Sequence, residues 1–239
     1  QELFYNHIRR VVGRTNSLTG KPYSEDPAIF AWQIGNEPRC FSDEAEVREG
    51  FIGWLTESAR LIKELDPNHM VSTGNEGLMG CEEDPELLEQ VNAIAYIDYM
   101  TIHIWPYNWS WVRADRLAED LDSALVKTDQ YIARHVEVAR RHGLPMVVEE
   151  FGFPRDGFAE SCEAPTTCRD RYYRHIFSRV ADGTVDGANF WGWSGFARPV
   201  HSQWERGDDY TGDPAQEAQG LNGVYITDST IDIIKQSLN

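Results

Sequence analysis

Cysteine is scarce in this chain of 239 residues, with only Cys40, Cys81, Cys162 and Cys168. None forms a CxxC pair, and no His–Cys cluster has zinc-ligand spacing, so a structural zinc site of the common kind is excluded. Long apolar runs are missing too. No uncharged stretch approaches the roughly 18 residues that a spanning helix needs. Positive charge is in short supply: 22 Lys and Arg stand against 39 Asp and Glu, for a net charge of −17. That balance argues against nucleic acid or an anionic membrane as partner and suits a soluble protein with a neutral or cationic ligand. No GxGxxG or GxxxxGK[ST] follows any apolar run, and no GxSxG elbow occurs.

Aromatic residues are plentiful, with eight Trp, ten Tyr and ten Phe. An apolar content of 41% fills a core and excludes disorder as the main state. The segment Cys162-Glu-Ala-Pro-Thr-Thr-Cys168 is rich in loop residues and short enough to close a small disulfide loop, with two free thiols as the alternative. A bridge there suggests an exported protein, secreted or at the periplasm or cell surface. The chain does not open on Met and starts within a helical pattern, so the lack of a visible leader carries no weight.

Hydrophobic periodicity predicts helices over residues 3–13, 44–65, 85–97, 121–141, 169–181 and 229–238. Short apolar runs predict strands at 29–34, 69–74, 99–105, 144–151 and 187–193. Strict alternation of this kind implies a parallel sheet covered by helices. Strand ends fall near Glu37, Gly74, His103, Glu150 and Trp191, at the βα repeat length of a barrel with enlarged loops. A doubly wound sheet is the alternative. No linker divides the chain, so residues 1–239 read as one catalytic domain.

The chemistry gathers where strands end. Asn36 and Glu37 close the first, His103 and Trp105 the third, Glu149 and Glu150 the fourth, and Trp191 and Trp193 the fifth. In an α/β barrel those C-terminal ends form the active face. Two glutamates on separate strands are the basic equipment for glycoside hydrolysis, one to protonate the leaving oxygen and one to attack the anomeric carbon or activate water. Indole rings stack on sugar faces. His103 is the only histidine on the proposed rim, too few ligands for a metal, so neither metal nor cofactor is expected.

Phe30-Ala-Trp-Gln-Ile-Gly-Asn-Glu-Pro-Arg39 resembles the Asn-Glu-Pro strand of glycoside hydrolase family 5 in clan A, and the arginine after proline favours the endo-β-1,4-mannanase subgroup. Met146-Val-Val-Glu-Glu-Phe-Gly152 is similar to that family's nucleophile strand, with glutamate directly before Phe-Gly. Thr73 to Gly77, Thr101 to Pro106, Gly187 to Trp191 and Asp228 to Thr230 continue the match in order. The resemblance implies a (β/α)8 TIM barrel of which this chain holds about five βα units, strands four to eight. It implies Glu37 as acid/base and Glu150 as nucleophile of a retaining endo-mannanase acting on mannan, glucomannan or galactomannan. Asn36 would bind the sugar 2-hydroxyl, His103 would orient the site, Trp191 would lie under the sugar, and Arg39 and Glu76 would meet sugars on the leaving-group side. Trp109 is a further candidate platform. The family often has Tyr at the position of Trp105, bonded to the nucleophile; an indole can only donate there.

Two consequences follow as expectations. Neighbouring strand residues face opposite ways, so only one of Glu149 and Glu150 faces the cleft. A five-stranded arc leaves open edges and wets Ile34, Ile102 and Val148, so a second polypeptide carrying strands one to three is expected as partner, with a longer chain of which this is a fragment as the alternative. The rival functions are a related hydrolase on β-glucan and a non-catalytic sugar-binding protein.

Overall fold

A computed structural model describes residues 1–237. Among these residues six α-helices form: α1 (Glu2–Val12), α2 (Ala45–Leu65), α3 (Pro85–Asn92), α4 (Leu117–His142), α5 (Thr167–Ala181) and α6 (Thr230–Ser237). Leu238 of the last expected helix lies outside the described residues. Seven short strands accompany them: β1 (Ala31–Gln33), β2 (Met70–Ser72), β3 (Met100–Ile104), β4 (Met146–Phe151), β5 (Gly187–Ala188), β6 (Trp193–Gly195) and β7 (Val224–Tyr225). The expected five strands are therefore corrected to seven, hydrogen-bonded as β1-β2, β3-β4-β5 and β6-β7. The β1-β2 and β6-β7 pairs are parallel. The fifth expected strand divides because it changes partner. Trp191 N–H still donates to Phe151 O at 2.9 Å, after which Trp193 pairs with Val224.

The chain forms two compact units, one of Gln1–Ile102 with His135–Val147, the other of His103–Arg134 with Val148–Asn239. In the first, α2 buries Leu55, Ala59 and Ile62, the i, i+4, i+7 stripe of an amphipathic helix. It stops at Asp66, whose carboxylate accepts the Asn68 and His69 N–H groups. The buried Asp66 also accepts the Trp32 indole N–H at 2.7 Å and bonds His69 Nδ1 at 2.6 Å, tying β1 to the α2–β2 turn. Asp84 caps α3 on Glu86 N–H, with Pro85 at the first helical position. This helix ends at Asn92 rather than 97, where the Asn92 side-chain amide donates to Leu88 O and competes with the main chain.

The second unit is built on aromatics. Phe151 of β4 packs on Tyr173 and Phe177 of α5, with ring centroids 4.8 and 5.6 Å apart. Two fully buried arginines hold the turn before β7. Arg155 donates to the Gly220 and Gly223 carbonyls and pairs with Asp228 at 2.6 Å. Arg169 donates to Phe153, Leu221 and Gly223 carbonyls. These carbonyls have no ladder partners, and two guanidiniums satisfy them at once.

Two expectations need correcting. Ile34, Ile102 and Val148 are buried, not wetted. The register places Gln33, next to Ile34, and Val147 and Glu149, flanking Val148, on the more open faces instead. Exposed apolar side chains of the first unit are Leu3, Leu18, Phe30 and Phe41 among others. The four cysteines are free thiols, so Cys162 and Cys168 do not pair. Cys168 is buried at the start of α5, where burial and then the Asp156 charge push its thiol up to about 11, while Cys162 sits on the preceding loop against Glu163. A thiol held that protonated is a poor partner for oxidation.

Candidate active site

The first unit carries one carboxylate of the expected pair. β1 runs out through Ile34 and Gly35 into the Asn36-Glu37-Pro38 turn. Asn36 is exposed and Glu37 half-buried. Glu37 has φ +51°, a left-handed backbone that costs a non-glycine residue energy. Its N–H donates to Gly74 O at 3.0 Å, which fixes the turn against the end of β2. Gly74 itself has φ +72°, and a Cβ there would stand 1.9 Å from Gly35 O. Only glycine lets the two strand ends approach this closely.

Arg39 and Glu76 meet here. The Arg39 guanidinium pairs with the Glu76 carboxylate, which is buried. Asn75 secures the loop between them: its amide donates to Pro38 O at 3.2 Å and its oxygen accepts the Gly77 N–H at 2.8 Å. Leu78 N–H, a turn later, donates to Nε2 of the fully buried His135 on α4 at 2.8 Å. Sequence reasoning missed both supports. The Gly-Asn pair carries a turn signal that points to Asn75. His135 lies mid-helix with no signal at all.

The second unit holds the other carboxylate. His103 of β3 is fully buried, with Nδ1 3.3 Å from Glu150 Oε2 and Nε2 3.4 Å from Glu149 Oε2. Both glutamates therefore reach one imidazole, although they are neighbours on a strand. Trp105 separates them. Its indole N–H donates to Glu150 Oε2 at 3.3 Å, so an indole makes the contact expected of a phenol. Gly152 makes room for it: a Cβ there would lie 2.5 Å from the Trp105 ring and 3.1 Å from Trp191 O. The Phe-Gly after Glu150 thus divides its work between core and site. Phe151 anchors the strand on α5, and Gly152 seats Trp105 beside the Trp191 backbone.

Trp191 is half-buried at the end of the β5 segment. Trp109 follows β3 in a loop and packs edge-on against Trp111 and tilted against Tyr131, with ring centroids 5.0 and 5.1 Å away. The structure brings together Glu37 with Gly74, Arg39 with Glu76, and His103, Trp105, Glu149 and Glu150. It places Trp109 in an aromatic cluster of its own.

The whole chain, residues 1–239, matches the family described as GH family 5 beta-mannosidase-like. The chain belongs to glycoside hydrolase family 5. Its α/β fold of parallel strand pairs is part of a TIM barrel, as its structural neighbours are family 5 barrel enzymes. Among curated relatives, mannan endo-1,4-beta-mannosidase 1 from Arabidopsis thaliana is 31% identical over 210 residues, covering 80% of this chain and 49% of that protein. A putative mannan endo-1,4-beta-mannosidase P from the same plant is 30% identical, covering 83% and 52%. Among solved structures, the glycoside hydrolase family 5 mannosidase from Rhizomucor miehei superposes with a TM-score of 0.86 at 31% identity, covering 99% of this chain and 56% of that one. The endo-beta-1,4-mannanase from Thermotoga petrophila gives 0.71 at 25% identity, covering 99% and 49%. The chain thus spans about half the length of the curated relatives it matches.

Proposed function

We propose that this chain supplies the catalytic carboxylates of a retaining glycosidase that cleaves β-1,4-mannosidic bonds inside mannan, glucomannan or galactomannan. The observation that carries the reading is Glu150, held by the Trp105 indole N–H and the His103 imidazole at the end of a buried strand. The Trp105 N–H fixes the position of the carboxylate that would attack. In the first step a Glu150 oxygen bonds to the anomeric carbon as the bond to the leaving oxygen breaks, and the Glu37 proton passes to that oxygen. In the second, Glu37 takes a proton from water, the water oxygen attacks the same carbon, and Glu150 leaves. Asn36 binds the 2-hydroxyl, Trp191 stacks under the sugar at the cleavage point, and Arg39 and Glu76 hold sugars beyond it. Trp109 is a further platform for a more distant sugar. The R. miehei relative has been crystallised in complex with mannosyl-fructose, which supports a mannoside as ligand.

Among the described residues strand β1 pairs on one side only, with β2, and Phe30 beside it is 72% exposed. Activity on this reading needs the other barrel strands, on the same or a second polypeptide. A polymeric substrate favours action outside the cytoplasm. The test is made with those strands present. Glu37→Ala and Glu150→Ala each lose most mannan hydrolysis. Azide rescues the Glu37 variant to a β-glycosyl azide and the Glu150 variant to the inverted α-product. Loss of activity on Glu149→Ala with a near-wild-type Glu150→Ala would overturn the assignment.

A second reading, an exo-acting β-mannosidase, is favoured by the higher structural likeness to the R. miehei mannosidase than to the T. petrophila mannanase, 0.86 against 0.71. Products separate the two. Internal cleavage gives a ladder of mannooligosaccharides and a fast drop in viscosity, whereas terminal cleavage releases small sugar alone.

A further inference from the structure

We infer that Phe41 is a sugar-stacking platform on the leaving-group side of the cleavage point, presented by Arg39 and Glu82. Its ring is 77% exposed although it lies only four residues past Glu37. An exposed phenylalanine alone says little. This one is held out at a cost. Its backbone is left-handed, at φ +55°, where a residue with a Cβ is disfavoured. The Glu82 carboxylate compensates by accepting the Phe41 N–H at 3.0 Å. On its other side the Arg39 guanidinium carbon sits 5.9 Å from the ring centroid, within cation–π range. That guanidinium is itself tied to the buried Glu76 carboxylate. Ring and guanidinium are thus held together, with the buried Glu76 carboxylate as the anchor of the guanidinium.

The surface has the chemistry of a pyranose receptor. The ring offers a flat apolar face for the axial C–H groups of a sugar. Arg39, still half-buried, offers N–H donors to ring hydroxyls, and the exposed Glu82 carboxylate offers an acceptor. A neutral hydroxyl-rich ligand suits this mixture, and an anionic one does not, because the guanidinium charge is already paired with Glu76 and the exposed Glu82 adds a negative charge beside the ring. The ligand assigned is a β-linked mannosyl unit of the substrate beyond the scissile bond. This inference rests on the mannan-cleaving reading above.

The experiment uses the full-length protein and two substrates. Mannohexaose reaches past the scissile bond, and a 4-nitrophenyl β-mannoside presents only a small aryl leaving group. Phe41→Ala is expected to lower kcat/KM on mannohexaose by about two- to tenfold, the worth of one aromatic contact. It should leave the aryl mannoside within twofold, and Phe41→Trp should restore the loss. Equal loss on both substrates, a loss matched by a fall in Tm, or no loss on either overturns the platform. If wild-type protein releases nothing from either substrate, or Glu150→Ala does not abolish release, it is the mannan-cleaving reading that fails.

Discussion

Gly74→Ala should test whether the Glu37 turn depends on the close approach of two strand ends. A Cβ at Gly74 would stand 1.9 Å from Gly35 O, and the residue has φ +72°. Two costs add. The left-handed backbone contributes about 1–2 kcal/mol. The clash is with a backbone oxygen, which cannot rotate away as a side chain could, so overpacking contributes about 1–3 kcal/mol. The total is about 2–5 kcal/mol, or a fall in Tm of about 4–20 °C for a protein of this size. Gly20→Ala is the control: Gly20 has φ +71° with nothing within 4 Å of the added methyl, so only the backbone cost applies. Relief of the clash moves Gly35 and breaks the Glu37 N–H bond to Gly74 O. A shift of about 1 Å in a catalytic group costs on the order of 100-fold in rate. Thermal melts and mannan turnover on the full-length protein give both numbers. Equal destabilisation by Gly74→Ala and Gly20→Ala, with turnover kept, would refute the reasoning.

Two further outcomes follow from buried groups. Burial alone would raise the Asp66 carboxyl, but the Trp32, His69 and Asn68 donors outweigh it and leave Asp66 below its ordinary value of 3.8. A lowered carboxyl stabilises the fold above the unfolded value and loses that contribution as pH falls below about 3.8. Asp66→Asn should therefore cost stability at pH 7 and flatten the acid limb of the stability–pH curve; an unchanged limb counts against the tie. Arg169→Met leaves the Phe153 and Leu221 carbonyls without their arginine donor, and Asp228 without one of its two cations. Denaturant titration should show a loss of about 3–5 kcal/mol; a loss under 1 kcal/mol would mean that water replaces the guanidinium.

Some of this was legible in the sequence. Helices α1, α2 and α5 are set by apolar spacing and lie within two residues of expectation. Both glutamates and His103 stand at strand ends because the apolar runs that precede them are too short for helices and too apolar for loops. What pattern could not reach is pairing. β5 and β6 form one apolar run, yet the first borders β4 and the second borders β7, which itself lay hidden in a polar stretch. The buried arginines were hidden for a related reason. Arg155 and Arg169 look like surface residues in one dimension, and only the carbonyls of a turn more than fifty residues away make their burial tolerable. The Cys162–Cys168 spacing misled because loop length fixes what can close, not where each thiol points.

Backbone strain gathers beside the candidate site without reference to any family. Among the described residues six non-glycine residues have positive φ: Glu37, Phe41, Glu82, Glu83, Ser110 and Phe158. Four of them fall in the two loops that follow β1 and β2. Each costs of order 1–3 kcal/mol and persists only where its surroundings over-determine it. Those surroundings can be named. Gly74 O holds the Glu37 N–H, Glu82 holds the Phe41 N–H, and Leu78 O and Cys81 O hold Glu83 and Asp84. A turn needed only to connect β1 to α2 would carry glycine or asparagine at such positions, since both adopt φ > 0 at lower cost. Glutamate and phenylalanine there serve side chains that must point where a relaxed backbone would not send them. Carboxylate and aromatic ring are the two group types that cleave and hold a sugar, and in this chain they occupy the two strained positions of a single five-residue stretch.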